Sequence, residues 1–239
     1  MKKYLFHHLA DLPGADEIFA QQIIRIINSK ILDDDVSYHI CINGSSDQFQ
    51  SVIDEFTKIY KPTVTQIAND CKQYEYPTLE YLRQTVHTLN QPAAIGYIHL
   101  KGAGRPWYKE VADWRRLMEF FIIDNYNQCV KQLDRGYNIV GCNWTPVSWI
   151  KPHFSGNFWW AHSEYLKTLR PLLHPTKCIP GLQSFFTGQI YDAADKYRFD
   201  CECWIASGDY KHKEMHGSGI IHYHGPYPED RYINTVFES

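Results

Sequence analysis

The segment Ala94-Ile95-Gly96-Tyr97-Ile98-His99-Leu100-Lys101-Gly102 runs from an apolar stretch into a cationic turn that contains glycine. An ammonium group there can neutralise phosphate as a point charge, and glycine lets backbone N–H groups approach an anion closely. A solvated lysine at an ordinary strand end accounts for the same letters. The loop lacks Gly-x4-Gly-Lys-Ser/Thr, which sets aside a P-loop hydrolase, and Asn43-Gly44-Ser45-Ser46 lacks the Gly-x-Gly-x-x-Gly dinucleotide pattern. In Asp200-Cys201-Glu202-Cys203-Trp204 a carboxylate stands near an indole. Desolvation there can raise its pKa and make it a general base, while two solvated acids on a surface strand are the competing reading. Cys201 and Cys203 would point to opposite faces of that strand, which makes a chelate a poor fit. His222 and His224, at i, i+2 in Gly219–His224, would share one strand face and suit metal or phosphate binding. Without a fixed carboxylate they are an incomplete ligand set, and structural histidines explain them too.

Residues 142–162 hold four of the seven tryptophans, with Gly156 and Asn157 set among aromatic rings. Flat aromatic faces can cover the C–H face of a sugar, while His153, Ser155 and Asn157 offer directed hydrogen bonds. Phe154, Phe158 and Trp160 share one parity, so a plain buried strand remains open. Trp159 and Trp160 are neighbours on one expected strand, so only one of the two rings would face a cleft.

These residues need elements to hold them. Strand patterns over Lys3–His8, Val36–Asn43, Thr63–Ala68 and Ala93–His99 alternate with helical spacing over Ala15–Asn28, Ser46–Tyr60 and Thr78–Asn90. Such alternation predicts an α/β, Rossmann-like, mostly parallel central sheet with helices on both faces. A long helix is expected from about Tyr108 to Arg135, stopped by Gly136, then a strand over Tyr137–Asn143. After the aromatic segment come a helix from Ser163, a second around Gln183–Tyr197, a strand through Glu202–Trp204 and a last strand Gly219–His224. Ligands of open α/β sheets lie outside the carboxyl ends of the strands, which directs attention to Asn43–Gly44 and His99–Gly102. Arg115 and Glu119 are spaced i, i+4 on the long helix, so a helix-face ion pair competes with ligand binding by Arg115 and Arg116.

The 239 residues are read as one domain, since no linker, repeat or low-complexity tract divides them. The 24 basic and 27 acidic residues give a net charge of −3, without the clustered Lys and Arg that nonspecific nucleic-acid binding requires. The amino terminus starts like a signal peptide, but His7, His8 and Asp11 break its apolar run. No stretch approaches the roughly 18 apolar residues of a membrane span. Seven cysteines without a repeated Cys-x2-Cys spacing suit reduced thiols and a cytoplasmic setting, with peripheral membrane contact left open.

Four strings together resemble a family of short GT-A-like glycosyltransferases found in bacterial surface-polysaccharide clusters and large algal (chlorella) viruses. They are Tyr97-Ile98-His99-Leu100-Lys101-Gly102, Trp114-Arg115-Arg116-Leu117-Met118-Glu119, His153-Phe154-Ser155-Gly156-Asn157-Phe158-Trp159-Trp160-Ala161 and Glu202-Cys203-Trp204. The resemblance implies transfer of a sugar from a nucleotide diphosphate donor, a UDP-sugar, to a hydroxyl of a glycan acceptor, with inversion. It places the donor over residues up to about 102, against His8, Asn43, Gly44, Tyr97, His99, Lys101, Gly102, Arg115 and Arg116. The acceptor would lie in the half from about 103 onward, against His153, Ser155, Gly156, Asn157, Trp159 and Trp160. Glu202 would deprotonate the acceptor and Lys101 stabilise the leaving diphosphate. Where the general GT-A pattern has Asp-x-Asp holding Mn2+ or Mg2+, this chain has His99-Leu100-Lys101, so a divalent metal lacks its usual ligands; His222 and His224 resemble a C-terminal histidine motif that contacts metal or diphosphate. A lectin-like carbohydrate-binding protein would use the aromatic segment without a donor site, and the missing Asp-x-Asp also suits a catalytically inactive glycosyltransferase-like relative. For a viral member the compartment would be the host cytoplasm.

Overall fold

The computed structural model describes residues 1–146, 151–175, 181, 183–184, 190 and 198–237. Its first half follows the expected alternation: β1 (Lys2–Ala10), α1 (Ala15–Asn28), β2 (Val36–Asn43), α2 (Asp47–Thr57), β3 (Thr63–Ala68), α3 (Tyr76–His87) and β4 (Ala93–His99). The first four strands pair parallel with one another, and every residue of β4 is buried. An apolar run such as Ala93–Ile98 is what a central strand covered on both faces requires.

Beyond β4 come α4 (Lys109–Glu119), a π-helical turn (Phe120–Asp124), α5 (Tyr126–Asp134) and β5 (Ile139–Cys142). The two-residue strands β6 (Trp144–Thr145) and β7 (His153–Phe154) pair with each other, and β8 (Trp159–His162), α6 (Ser163–Leu166), α7 (Arg198–Cys203) and β9 (His212–His216) follow. The main sheet has seven strands in the order β3-β2-β1-β4-β8-β5-β9, with β8 antiparallel to both its neighbours and β9 parallel to β5. Apolar side chains of α1, α2, α4 and α5 pack on one face, and those of α3, α6 and α7 on the other. The α/β, mostly parallel arrangement read from the sequence therefore holds, with helices on both faces of the sheet.

Four local expectations are corrected. The helix expected from Tyr108 to Arg135 is interrupted at Phe120–Asp124, where the Asn125 backbone and side chain both donate to Phe120 O at 3.1 and 2.8 Å. The Trp160 indole donates to Ile122 O at 2.9 Å, satisfying a carbonyl inside the turn; local periodicity cannot register such a tertiary partner. The expected strand through Glu202–Trp204 is helical, α7 running into a 3-10 turn at Trp204–Ala206. Cys201, Trp204 and Ile205 are buried at i, i+3, i+4, a helical spacing that a three-residue alternation hides. Gly219–His224 is a series of turns with Ile220, Ile221 and Tyr223 exposed, and the last strand is β9. The helix from Ser163 is a single short turn of four residues. The helix expected around Gln183–Tyr197 lies largely outside the described residues.

Candidate functional site

The parallel strands deliver their carboxyl ends to one edge of the sheet, where the loops after β1, β2 and β3 are tied together. Asn43 Nδ2 donates to Tyr74 O at 3.3 Å while its Oδ1 accepts from the Asp70 backbone at 3.1 Å, and Asp11 accepts from the Ser45 backbone at 3.2 Å. Gly44 has φ +106°, and a Cβ there would strike Asp11, so the expected backbone turn exists and needs glycine. His8 is buried, its Nδ1 2.7 Å from Thr78 Oγ1. It supports the sheet from below the edge instead of meeting a ligand.

At the end of β4, His99 Nε2 donates to Gly156 O at 2.8 Å, which leaves Nδ1 as the unprotonated nitrogen. Burial, then the nearby Lys101 charge, depresses the His99 pKa to about 3, so the ring is neutral. Gly156, at φ +93°, lies against Trp114 and Met118 of α4, and a Cβ would strike the Met118 thioether. The glycine is thus the point at which α4, His99 and the aromatic segment meet. Lys101 follows in the turn, its Nζ 4.0 Å from the Trp114 ring centroid, a cation–π contact. His222 stacks on Trp114 with the planes 5° apart and centroids separated by 5.2 Å.

His222 reaches Ser218 Oγ at 2.9 Å and Asn143 Nδ2 at 3.2 Å through Nε2. Because Asn143 Oδ1 accepts from the Ser218 backbone, its Nδ2 is the donor toward His222. Nε2 is then the acceptor and Nδ1 carries the proton. Burial, followed by Lys101 and His216, lowers the His222 pKa to about 4 and keeps it neutral. Both His222 Nδ1 and Trp114 Nε1 are buried without a hydrogen-bond partner among the described residues, each residue being only 4% exposed. Two orphaned donors beside an ammonium group form a cluster that lacks an acceptor.

On the other flank of His99, Tyr97 OH and Asn157 Nδ2 both donate to Glu75 Oε2, while Glu75 Oε1 is 3.8 Å from His99 Nε2. Glu202 is close enough to raise the proton affinity of His99. Glu202 is carried there by helix α7, not by a strand. Asp200, named by the same motif, is buried against Ser184 and has its pKa raised to about 6 by desolvation.

Other expected contacts change role. Arg115 is buried, donating to Lys101 O at 3.0 Å and Gln21 Oε1 at 3.2 Å, with Nε 3.3 Å from Glu119. Gln22 bridges Glu119 and His99 O. Arg115 thus braces the Lys101 turn from behind and is committed before any ligand arrives. Arg116, paired with Asp113, is half-exposed and lines with Arg105 and Gly102 a cavity of about 120 Å³ on that rear side.

Trp159 and Trp160 are both 0% exposed. They do face opposite ways, but helices cover both faces: Trp160 packs with α4 and α5, Trp159 with α7. Neither ring can serve as an open sugar platform. His153 is buried on Lys151 O, and Ser155 donates its backbone N–H to Asn143 O, so of the aromatic segment Gly156 and Asn157 touch the site most directly. His224 is exposed in a turn, not beside His222 on a strand. No group of three or more His, Cys, Asp or Glu among the described residues could hold a metal ion, and the Lys101 ammonium stands beside His222. Trp114, Glu75 and Asp11 were missed from the sequence. Trp114 was signalled only by its place one residue before Arg115, and Glu75 by no motif.

A family described as "Domain of unknown function (DUF8361)" matches residues 7–209. The chain belongs to that family. The matched span includes Lys101, Trp114, Glu75 and Glu202, and ends before the turn that carries His222. No curated protein matches the chain. Among solved structures, residues 1–349 of S. aureus TarS align with 84% of this chain and 55% of theirs, at 8% identity and a TM-score of 0.43. The chain spans about half the length of that structure. No helix among the described residues is long and apolar enough to cross a membrane.

Proposed function

We propose that this chain is an inverting GT-A-like glycosyltransferase that moves a sugar from a nucleotide diphosphate donor, a UDP-sugar, to a hydroxyl of a glycan. The observation that carries the reading is the pair of buried N–H donors without acceptors, Trp114 Nε1 and His222 Nδ1, beside the Lys101 ammonium. A diphosphate supplies the missing oxygens. The nucleoside lies over the tied loops after β1, β2 and β3, near Asp11, Asn43 and Gly44.

In the reaction the acceptor oxygen bonds to the anomeric carbon as the bond from that carbon to the diphosphate oxygen breaks. The diphosphate departs with the electron pair, and the hydroxyl proton passes to Glu202, which has no hydrogen-bond or ion-pair partner among the described residues. Charge grows on the diphosphate as the bond breaks, so a cation already placed by Arg115 and the Gly102 turn stabilises the transition state more than the ground state. A neutral His222 donates without bringing a second charge against Lys101.

The deciding measurement is a thermal shift with UDP, followed by donor hydrolysis across a panel of UDP-sugars. A raised Tm and hydrolysis of one donor are expected. No shift with UDP would remove the nucleotide site and leave a carbohydrate-binding protein. A shift without turnover of any donor would mark an inactive relative.

A further inference from the structure

Glu75 has an environment that the donor reaction does not use. It follows β3 and immediately precedes α3, with its side chain 19% exposed, so most of the carboxylate is out of water. Two neutral donors, Tyr97 OH and Asn157 Nδ2, hold Oε2. Among the described residues no Lys or Arg lies within ion-pair distance of it; the titratable bases that feel its charge are His99, at 3.8 Å, and the buried His8, both neutral. That His99 proton is already donated to Gly156 O. A largely buried carboxylate without a counter-ion is costly unless further donors reach it. The protein holds Oε2 in place and, among the described residues, leaves Oε1 without a hydrogen bond.

The holders are themselves fixed. Asn157 sits at φ +58°, an uncommon conformation for a non-glycine residue, with Oδ1 accepting from the Trp159 indole at 2.9 Å and Nδ2 also near Cys201 O at 3.3 Å. Tyr97 stacks on Trp159 with centroids 5.3 Å apart. The buried tryptophan therefore acts by rigidity: it orients Asn157, which with Tyr97 orients Glu75. Glu202, also near His99, shares this flank.

We infer that Glu75 is a carbohydrate-binding residue, accepting hydrogen bonds from hydroxyls of the glycan acceptor through its free oxygen and so presenting the acceptor to Glu202. This rests on the acceptor half of the proposed reaction and goes beyond it by naming the subsite. Sugar hydroxyls are neutral donors, which suits a carboxylate whose second oxygen, Oε1, has no donor among the described residues and which is flanked by Glu202, where an anionic ligand would be repelled.

The test is saturation-transfer NMR with a panel of methyl α- and β-hexopyranosides on the wild-type protein and on Glu75→Gln, Glu75→Asp and Tyr97→Phe, each also checked for its UDP thermal shift. At least one glycoside should bind the wild type. Glu75→Gln should weaken it about ten- to a hundredfold, the range for losing hydrogen bonds to a charged group. Glu75→Asp, which keeps the charge, should recover part of that loss. All variants should keep the UDP shift. Tyr97→Phe, which leaves the carboxylate but frees it to move, should weaken binding severalfold and decides the matter if Glu75→Gln does not fold. Equal glycoside binding by Glu75→Gln and wild type, or no binding by any glycoside, would overturn the inference. UDP binding without glycoside binding removes the Glu75 subsite alone, whereas glycoside binding without UDP binding removes the donor site alone.

Discussion

On one flank of His99, Lys101, Trp114 and His222 gather hydrogen-bond donors that lack acceptors among the described residues; on the other, Glu202 and the Oε1 oxygen of Glu75 are acceptors that lack donors there. His99 stands between them, neutral, its proton spent on Gly156 O. The difference shows how one strand end can carry two unlike chemical environments, which in the proposed reaction would take two unlike ligands. The donor flank suits a diphosphate, and the acceptor flank suits hydroxyls. Were His99 charged, it would attract the carboxylates and repel Lys101, and the two flanks would no longer be electrostatically separate.

The sharpest way to break this division is Glu202→Gln. Losing a general base should lower glycosyl transfer by about a hundred- to ten-thousandfold while leaving UDP affinity unchanged. Steady-state kinetics beside a UDP titration would measure both, and full activity in a folded variant would dismiss Glu202 as the base. Lys101→Ala strikes the opposite flank. Turnover should fall about ten- to a thousandfold, and the UDP thermal shift should shrink with it. An undiminished shift would separate Lys101 from the diphosphate.

Trp160→Ala tests the support common to both flanks. With its ring at 0% exposure and its indole on Ile122 O, the substitution should cost about 3–5 kcal/mol of stability by chemical denaturation. A near-wild-type midpoint would place that ring outside the core.

The fold that keeps the flanks separate should itself weaken with acid. His7, His8 and His99 are held neutral by burial, with pKa values lowered to about 3, 4 and 3. The unfolded chain takes up their protons below about pH 6.5 while the folded chain does not, so stability is full above that pH and falls as pH drops. The loss is about 1.4 kcal/mol per histidine one unit below 6.5, read as Tm against pH. A flat profile from pH 7 to 5 would contradict the buried, neutral assignment. The smallest effect is expected from EDTA, which should leave transfer within about twofold if Lys101 provides the charge at the diphosphate. Loss in EDTA restored by Mn2+ would reverse that.

Much of the fold was legible because its local signals and its tertiary demands agree. Val36–Asn43, Thr63–Ala68 and Ala93–His99 are strands with the bounds read from the sequence: the apolar run of Ala93–His99 satisfies a central strand buried on both faces, while the mixed Thr63–Ala68 forms the half-exposed edge of the sheet. The turn at Lys101 and the carboxylate of Glu202 were visible as residue types beside those elements. What the sequence determined by itself was therefore the alternating α/β order and the chemical character of the β4 end. Tertiary structure alone decided which faces were closed. It buried Trp159 and Trp160 under helices on opposite sides, turned Arg115 into a brace, and placed Trp114 under Lys101. It also joined Glu75 to Asn157 across 82 residues. Period and composition describe a residue's own element, but whether a buried donor or carboxylate has a partner depends on chain segments far away in sequence.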